Sequence, residues 1–182
     1  MKNNMTIISR LGTVALVVAS LGLASAASAA QKSATASPAP AAQTTAKKGN
    51  LSSKDKSFMM GAAKGGMMEV EWGKLAAQNG QNADVKKFGN RMVTDHSKAN
   101  NELMGLAREE GVSLPAAKGP GKWKSDKDYM DMMVKDHEKD LAEFQTEARD
   151  GTDADVKKFA NKGAGMVSKH LALAKQVQSK LK

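Results

Sequence analysis

NADVKKFGNRMVTDHSKANNELMGLAREEG, residues 82–111, is the stretch on which the fold turns. Val85, Phe88, Met92, His96, Ala99, Leu103 and Leu106 recur every three or four residues, the period of one face of an α-helix. Asn82 is a good N-cap in front of that stripe. Gly111 stops it, and Pro115 and Pro120 prevent its continuation. Nothing after residue 50 alternates with period two over the length of a strand, so the remainder reads as helical too.

DADVKKFAN (153–161) nearly repeats NADVKKFGN (82–90). It opens a helix after Asp153 whose stripe is Val156, Phe159, Gly163, Met166, His170, Leu173, Val177 and Leu181. A third helix follows Ser125, with Asp128 at the capping-box position and a stripe of Tyr129, Met133, His137, Leu141, Phe144 and Ala148, and Gly151 ends it. The first covers about 53–79, with Phe58, Ala62, Gly65, Trp72, Leu75 and Ala76 on its apolar face and Gly80 as its stop. Short connections make the first and second helices, and the third and fourth, antiparallel neighbours; the longest loop, 111–124, joins the two hairpins. The expected fold is all-α, an up-down-up-down antiparallel four-helix bundle. The repeat reads either as a duplicated hairpin or as one way of starting a helix reached twice.

Upstream lies an export signal over 1–30. Lys2 and Arg10 form a basic region, 11–23 is apolar, and small residues with Ala-x-Ala-like cleavage sites follow. A retained anchor is the competing reading, but the apolar core is short for a membrane span. Residues 31–50 are small, polar and Pro-containing and read as a disordered spacer before a bundle domain over 51–182. The destination is then the periplasm or the outer membrane. With no cysteine there is no disulfide and no thiolate metal site. Net charge is +9, and removing Lys2 and Arg10 leaves +7. The lysines are spread among acids and aromatics are few, which argues for a solvated basic surface with affinity for an anionic envelope, and against nucleic acid.

The same five-residue pattern occurs three times: MVTDH (92–96), MVKDH (133–137) and MVSKH (166–170). These contain all three histidines, each on an apolar stripe, each one turn after a methionine. Counting helical rise from the caps brings His96, His137 and His170 to mid-height, together with Glu69 of the first helix. Glu69 follows Phe58, Ala62 and Gly65 at helical spacing, and a buried carboxylate is costly unless paired or ligated. Gly65 and Gly66, one turn earlier, leave room for a neighbouring helix or a ligand. Three imidazoles and one carboxylate suit a first-row transition metal, with Cu, Zn, Fe or Mn all admissible. Met92, Met133 and Met166 are expected to form an adjacent layer, either as soft ligands for Cu(I) or as core filling. Asp95 and Asp136 are placed to hold a neighbouring imidazole or to meet solvent. The non-metal alternative is a Glu–His hydrogen-bond layer that sets the bundle's register.

GMMEVE (66–71), VKKF (85–88), RMVTDH (91–96), Leu114-Pro115, Tyr129-Met130, MVKDH (133–137) and His170-Leu171 resemble a family of exported bacterial proteins, domain of unknown function 4142. The resemblance covers about 57–178. It implies a ferritin-like bundle in the cell envelope, with Glu69, His96, His137 and His170 as the positions of interest and no established activity. Two features depart from the family pattern: a shorter connection between the second and third helices, and Gly165-Met166 where a Leu-Pro is usual. Glu-x-x-His, the di-iron ferritin signature, is absent, so iron storage does not follow from the fold. No nucleophile–base arrangement, phosphate loop or dinucleotide fingerprint appears. Three functions compete: a metal-handling or stress-protection protein, a metal-dependent oxidase, and a metal-free structural module of the envelope.

Overall fold

The computed structural model describes residues 51–116 and 118–181; the expected leader (1–30) and spacer (31–50) lie outside them. Four helices follow one another: α1 (Ser53–Asn79), α2 (Ala83–Glu109), α3 (Asp126–Asp150) and α4 (Ala154–Gln178). Each starts where a short polar side chain satisfies the free amides of the first turn. Ser52 accepts from the Asp55 N–H at 3.1 Å and Asn82 from the Asp84 N–H at 2.7 Å. Ser125 accepts from the Asp128 N–H at 3.1 Å, and Asp153 from Asp155 and Val156 at 2.9 and 3.0 Å. Gly111 has φ 67°, a left-handed conformation that a side chain resists, and closes α2.

The all-α four-helix bundle with antiparallel hairpins is as expected; the alternation of directions is not. Asp126, the first residue of α3, accepts from the backbone amides of Gln81 and Asn82 in the α1–α2 turn at 3.0 and 2.6 Å. Asp55, in the first turn of α1, accepts from the amides of Thr152 and Asp153 in the α3–α4 turn at 3.0 and 3.2 Å, and from the Thr152 hydroxyl. So α3 starts at the end where α1 finishes, α2 and α3 run the same way, and the connection between them travels the length of the bundle. Leu114 packs near Met59 and Leu103, while further along Gly121 faces Trp72 and Trp123 stacks on Tyr129. One long crossover of this kind is the ferritin arrangement. Loop composition could not reveal it: some fifteen residues at roughly 3.3 Å each can either turn back or span the roughly 40 Å of a helix of this length. The paired roles of Asp55 and Asp126 show that the two hairpins repeat each other in structure as well as in sequence.

Two apolar clusters flank the middle of the bundle. One gathers Phe88, Met92, Tyr129, Met130, Met133 and Val177; the other gathers Met59, Ala63, Leu103, Leu106, Val156 and Phe159. The expected face of α1 is turned by about one residue. Met59, Ala63, Gly66, Glu69, Gly73 and Ala76 are buried, whereas Phe58, Ala62, Gly65, Trp72 and Leu75 are half-buried. The reason is a backbone contact with α2: a Cβ on Gly73 would stand 2.7 Å from the Gly89 carbonyl oxygen, and one on Gly89 2.7 Å from that of Gly73. The stripe of α2 holds except at Ala99, and those of α3 and α4 hold at Tyr129, Met133, Val156, Phe159, Gly163, Val177 and their histidines and slip elsewhere. Ala99, Leu141, Phe144, Ala148, Met166, Leu173 and Leu181 are only half-buried, while Glu147, Val167 and Ala174 are buried.

Glu147 and Asp55 share the end of the bundle. Burial pushes the Glu147 carboxyl up to about 7, helped by its hydrogen bond to Asp55. Burial acts the same way on Asp55, but bonds from Thr152, Glu147 and Ser52 outweigh it and hold that carboxyl well below its usual range. Because the folded pKa of Glu147 exceeds the unfolded one, its contribution to stability is present at acid pH and is lost as pH rises through about 7. Glu147→Gln keeps a donor without the charge. It is expected to melt like wild type at pH 5 and to be more stable at pH 8 by about 2 kcal/mol. Melting curves that differ equally at both pH values would exclude titration of Glu147 as the source of the difference.

Candidate metal centre

Between the two clusters, at mid-length, α2, α3 and α4 each supply one histidine. His96 is 4% exposed and His137 and His170 are 0% exposed. Each can present a ring nitrogen such that the three donor atoms lie within 4.8 Å of one another. Their ring centroids are 5.2–5.9 Å apart. The sequence expectation of a common level therefore holds, even though one helix runs opposite to the assumed direction.

Each ring is fixed by one partner. His96 Nδ1 meets Glu69 Oε2 at 2.9 Å. His137 Nδ1 donates to the Met133 carbonyl at 2.9 Å and lies 3.4 Å from Glu69 Oε1. His170 Nε2 meets Asp95 Oδ2 at 2.8 Å, and Arg91 Nε holds that same carboxylate at 3.2 Å. These contacts occupy one nitrogen of each imidazole. The other three, His96 Nε2, His137 Nε2 and His170 Nδ1, are buried with no hydrogen-bond partner among the described residues. A buried, unpartnered ring nitrogen is expensive, and three of them in a layer whose histidines can bring donor atoms within 4.8 Å of one another fit a metal held by imidazoles whose second nitrogens are anchored. Glu69, expected as a fourth ligand, touches two of the anchoring nitrogens; the convergent donor group consists of the three histidines.

Electrostatics match that arrangement. Burial pulls His170 down to about 4, against the opposing bond from Asp95. Burial likewise lowers His137, with Glu69 opposing. For His96 burial is outweighed by adjacent Glu69, and its pKa is raised; for Glu69 burial is outweighed by His96, and its pKa is lowered. The layer thus keeps His137 and His170 neutral, with free lone pairs, beside an ionised carboxylate.

A cleft of about 790 Å³ between α1 and α3 reaches the layer, with Glu69 and His96 on its wall. Gly61 and Gly65 leave the α1 side open, and Phe58, Trp72, Met68, Met132 and Phe144 give it an apolar lining. Asp136, expected near an imidazole, lines this cleft, as does Asp140, whose carboxyl is pushed up to about 7 by burial and by Glu69. Asp140 was not singled out in the sequence; it lies off the apolar stripe of α3, and only the approach of Gly65 places it here. The methionines do not form one layer. Met92 and Met133 sit in the cluster at one side of the histidines. Because α4 runs opposite to α2 and α3, Met166, one turn before its histidine, falls on the other side, where it lines the cleft.

Solved structures share the fold. A conserved hypothetical protein of Mycobacterium tuberculosis is 13% identical at a TM-score of 0.62, covering 71% of this chain and 94% of that one. A putative spore coat protein of Bacillus halodurans is 13% identical at a TM-score of 0.63, with 71% and 88% covered. A DUF305 fragment from Deinococcus radiodurans is 9% identical at a TM-score of 0.62, with 72% and 99% covered. At these identities the likeness concerns the fold alone. No curated protein matches the sequence. The family described as "Domain of unknown function (DUF4142)" matches residues 40–177, most of the chain, and the protein belongs to that family.

Proposed function

We propose that the protein is an exported metal-binding bundle serving metal handling or protection of the cell envelope. His96, His137 and His170 are the ligands; Glu69, Asp95 and the Met133 carbonyl hold their rings. The observation that carries this reading is the set of three buried ring nitrogens without partners among the described residues. Nitrogen donors suit Zn(II) and Cu(II) best, with Fe and Mn admissible. The leader and spacer support delivery to the periplasm or outer membrane, where the basic surface would meet anionic lipid headgroups. A second reading, a metal-dependent oxidase, is favoured by the cleft that reaches His96, since catalysis needs an open coordination position.

Titrating Zn(II), Cu(II) and Mn(II) into metal-free protein tests the site. The expected result is one saturable equivalent of Zn(II) or Cu(II); no saturable binding of any of them would leave only a register-setting hydrogen-bond layer. The methionines are expected to serve packing. Met92→Leu, Met133→Leu and Met166→Leu combined should leave Zn(II) and Cu(I) affinities within about threefold, with a packing cost under about 1.5 kcal/mol per site. A large loss of Cu(I) affinity alone would instead make the thioethers ligands.

A further inference from the structure

The cleft between α1 and α3 joins two chemistries that a metal at the histidines does not use. Its walls are apolar: Phe58 and Trp72 come from α1, Met132 and Phe144 from α3. Three carboxylates stand within those walls, Glu69 from α1 and Asp136 and Asp140 from α3. At about 790 Å³ the space suits a small organic molecule and far exceeds what a metal ion needs. Gly61 and Gly65 keep it open. Among the described residues a Cβ on Gly61 would meet nothing within 4 Å, and one on Gly65 only Asp140 Oδ2, at 4.0 Å.

Glu69 is the informative group. It is only 5% exposed. Its Oε2 meets His96 Nδ1 at 2.9 Å, but Oε1 is buried with no hydrogen-bond partner among the described residues. His137 Nδ1 lies 3.4 Å from Oε1, yet gives its proton to the Met133 carbonyl. A buried carboxylate oxygen without a donor is costly. Asp136 and Asp140 are half-buried in the same cleft. Burial, and after it the charge of Glu69, raises both carboxyls above their ordinary range, Asp140 to about 7. The cleft thus sets acceptors and negative charge against apolar surface. Its lysines, Lys54, Lys64 and Lys139, are exposed at the rim; Lys139 is held by Glu143 at 3.0 Å, and Lys54 lies 3.8 Å from Asp150.

We propose that the α1–α3 cleft binds an amphiphilic amine, with a protonated primary amine among Glu69, Asp136 and Asp140 and its apolar chain or ring along Phe58, Trp72, Met132 and Phe144. A primary ammonium brings three N–H donors and one positive charge, which suits three carboxylates and supplies the donor that Glu69 Oε1 lacks. A metal ion in the cleft would leave the aromatic walls unused. A neutral apolar molecule would leave Oε1 unpaired, and a fatty acid would set its carboxylate against three others.

The test is calorimetric titration of the full chain, treated with chelator, with n-octylammonium chloride and with sodium octanoate, an anion of the same length. At pH 8 the carboxylates are mostly ionised and an alkylamine is protonated. Working without metal keeps the outcome separate from the histidine centre, because the amine should bind whether or not the histidines take a metal. Wild type should bind one equivalent of octylammonium saturably, and octanoate at least about tenfold more weakly. Asp140→Asn keeps the shape and removes a charge, and should weaken octylammonium at least about tenfold. Gly65→Leu places its side chain in the cleft and should abolish binding while melting no lower than wild type, since leucine is the better helix former. No saturable binding of octylammonium, equal affinity for octanoate, or unchanged affinity in Asp140→Asn would overturn the proposal.

Discussion

Alanine at His137 is expected to lower Zn(II) or Cu(II) affinity by at least about 100-fold while the bundle still folds. It removes one of three converging nitrogens, a larger loss than the 10–100-fold typical of disturbing a partner behind a ligand. Glu69→Gln should fall within that smaller range, because glutamine keeps an acceptor for His96 Nδ1 but not the charge. In wild type, binding should weaken as pH falls from neutrality through the ordinary imidazole pKa of about 6.5, since protons compete for the imidazoles. His96, whose pKa is raised, protonates first; His137 and His170, held down by burial, follow at lower pH. Calorimetric titrations at pH 7.5, 6 and 5 decide the matter. Equal affinity in wild type and His137→Ala, with both circular dichroism spectra helical, would rule out the site.

The largest effect on stability is expected from Gly89→Ala. The new methyl would stand 2.7 Å from the Gly73 carbonyl oxygen, 2.8 Å from Ala76 Cβ and 3.0 Å from the Ala77 backbone nitrogen. Backbone cannot step aside as a flexible side chain does, so α1 and α2 must separate, at a cost of about 2–3 kcal/mol. Gly105→Ala is the matched control on the same helix. Among the described residues nothing lies within 4 Å of its added carbon, so alanine there should be neutral or stabilising by up to about 1 kcal/mol. Urea titrations of both variants measure the contrast. Similar midpoints for the two would mean that the Gly73–Gly89 approach does not hold the hairpin together.

The histidine layer survived an error in topology for a geometric reason. His96, His137, His170 and Glu69 sit near the midpoints of their helices, and reversing a helix leaves its midpoint where it was. Features displaced along a helix have no such protection. Met166 moves to the far side of the layer once α4 runs against α2 and α3, which breaks the expected methionine layer. The phase of α1 failed for another reason. Its sequence offers two weakly apolar faces, and the one packed on α2 is built of glycine and alanine, which hydrophobicity does not distinguish from exposed surface.

Caps, stops and helical periodicity are local properties, set by side chains within one turn. They placed the starts of all four helices, the apolar stripe of α2 and the histidines' common level from the amino-acid order alone. The direction of α3, the backbone contact of Gly73 with Gly89, the anchoring of His170 by Asp95 and the approach of Gly65 to Asp140 depend on which helices become neighbours. That choice is made by packing and by Asp55 and Asp126 reaching across to the opposite hairpin's turn, interactions between residues far apart in the chain that no local pattern encodes.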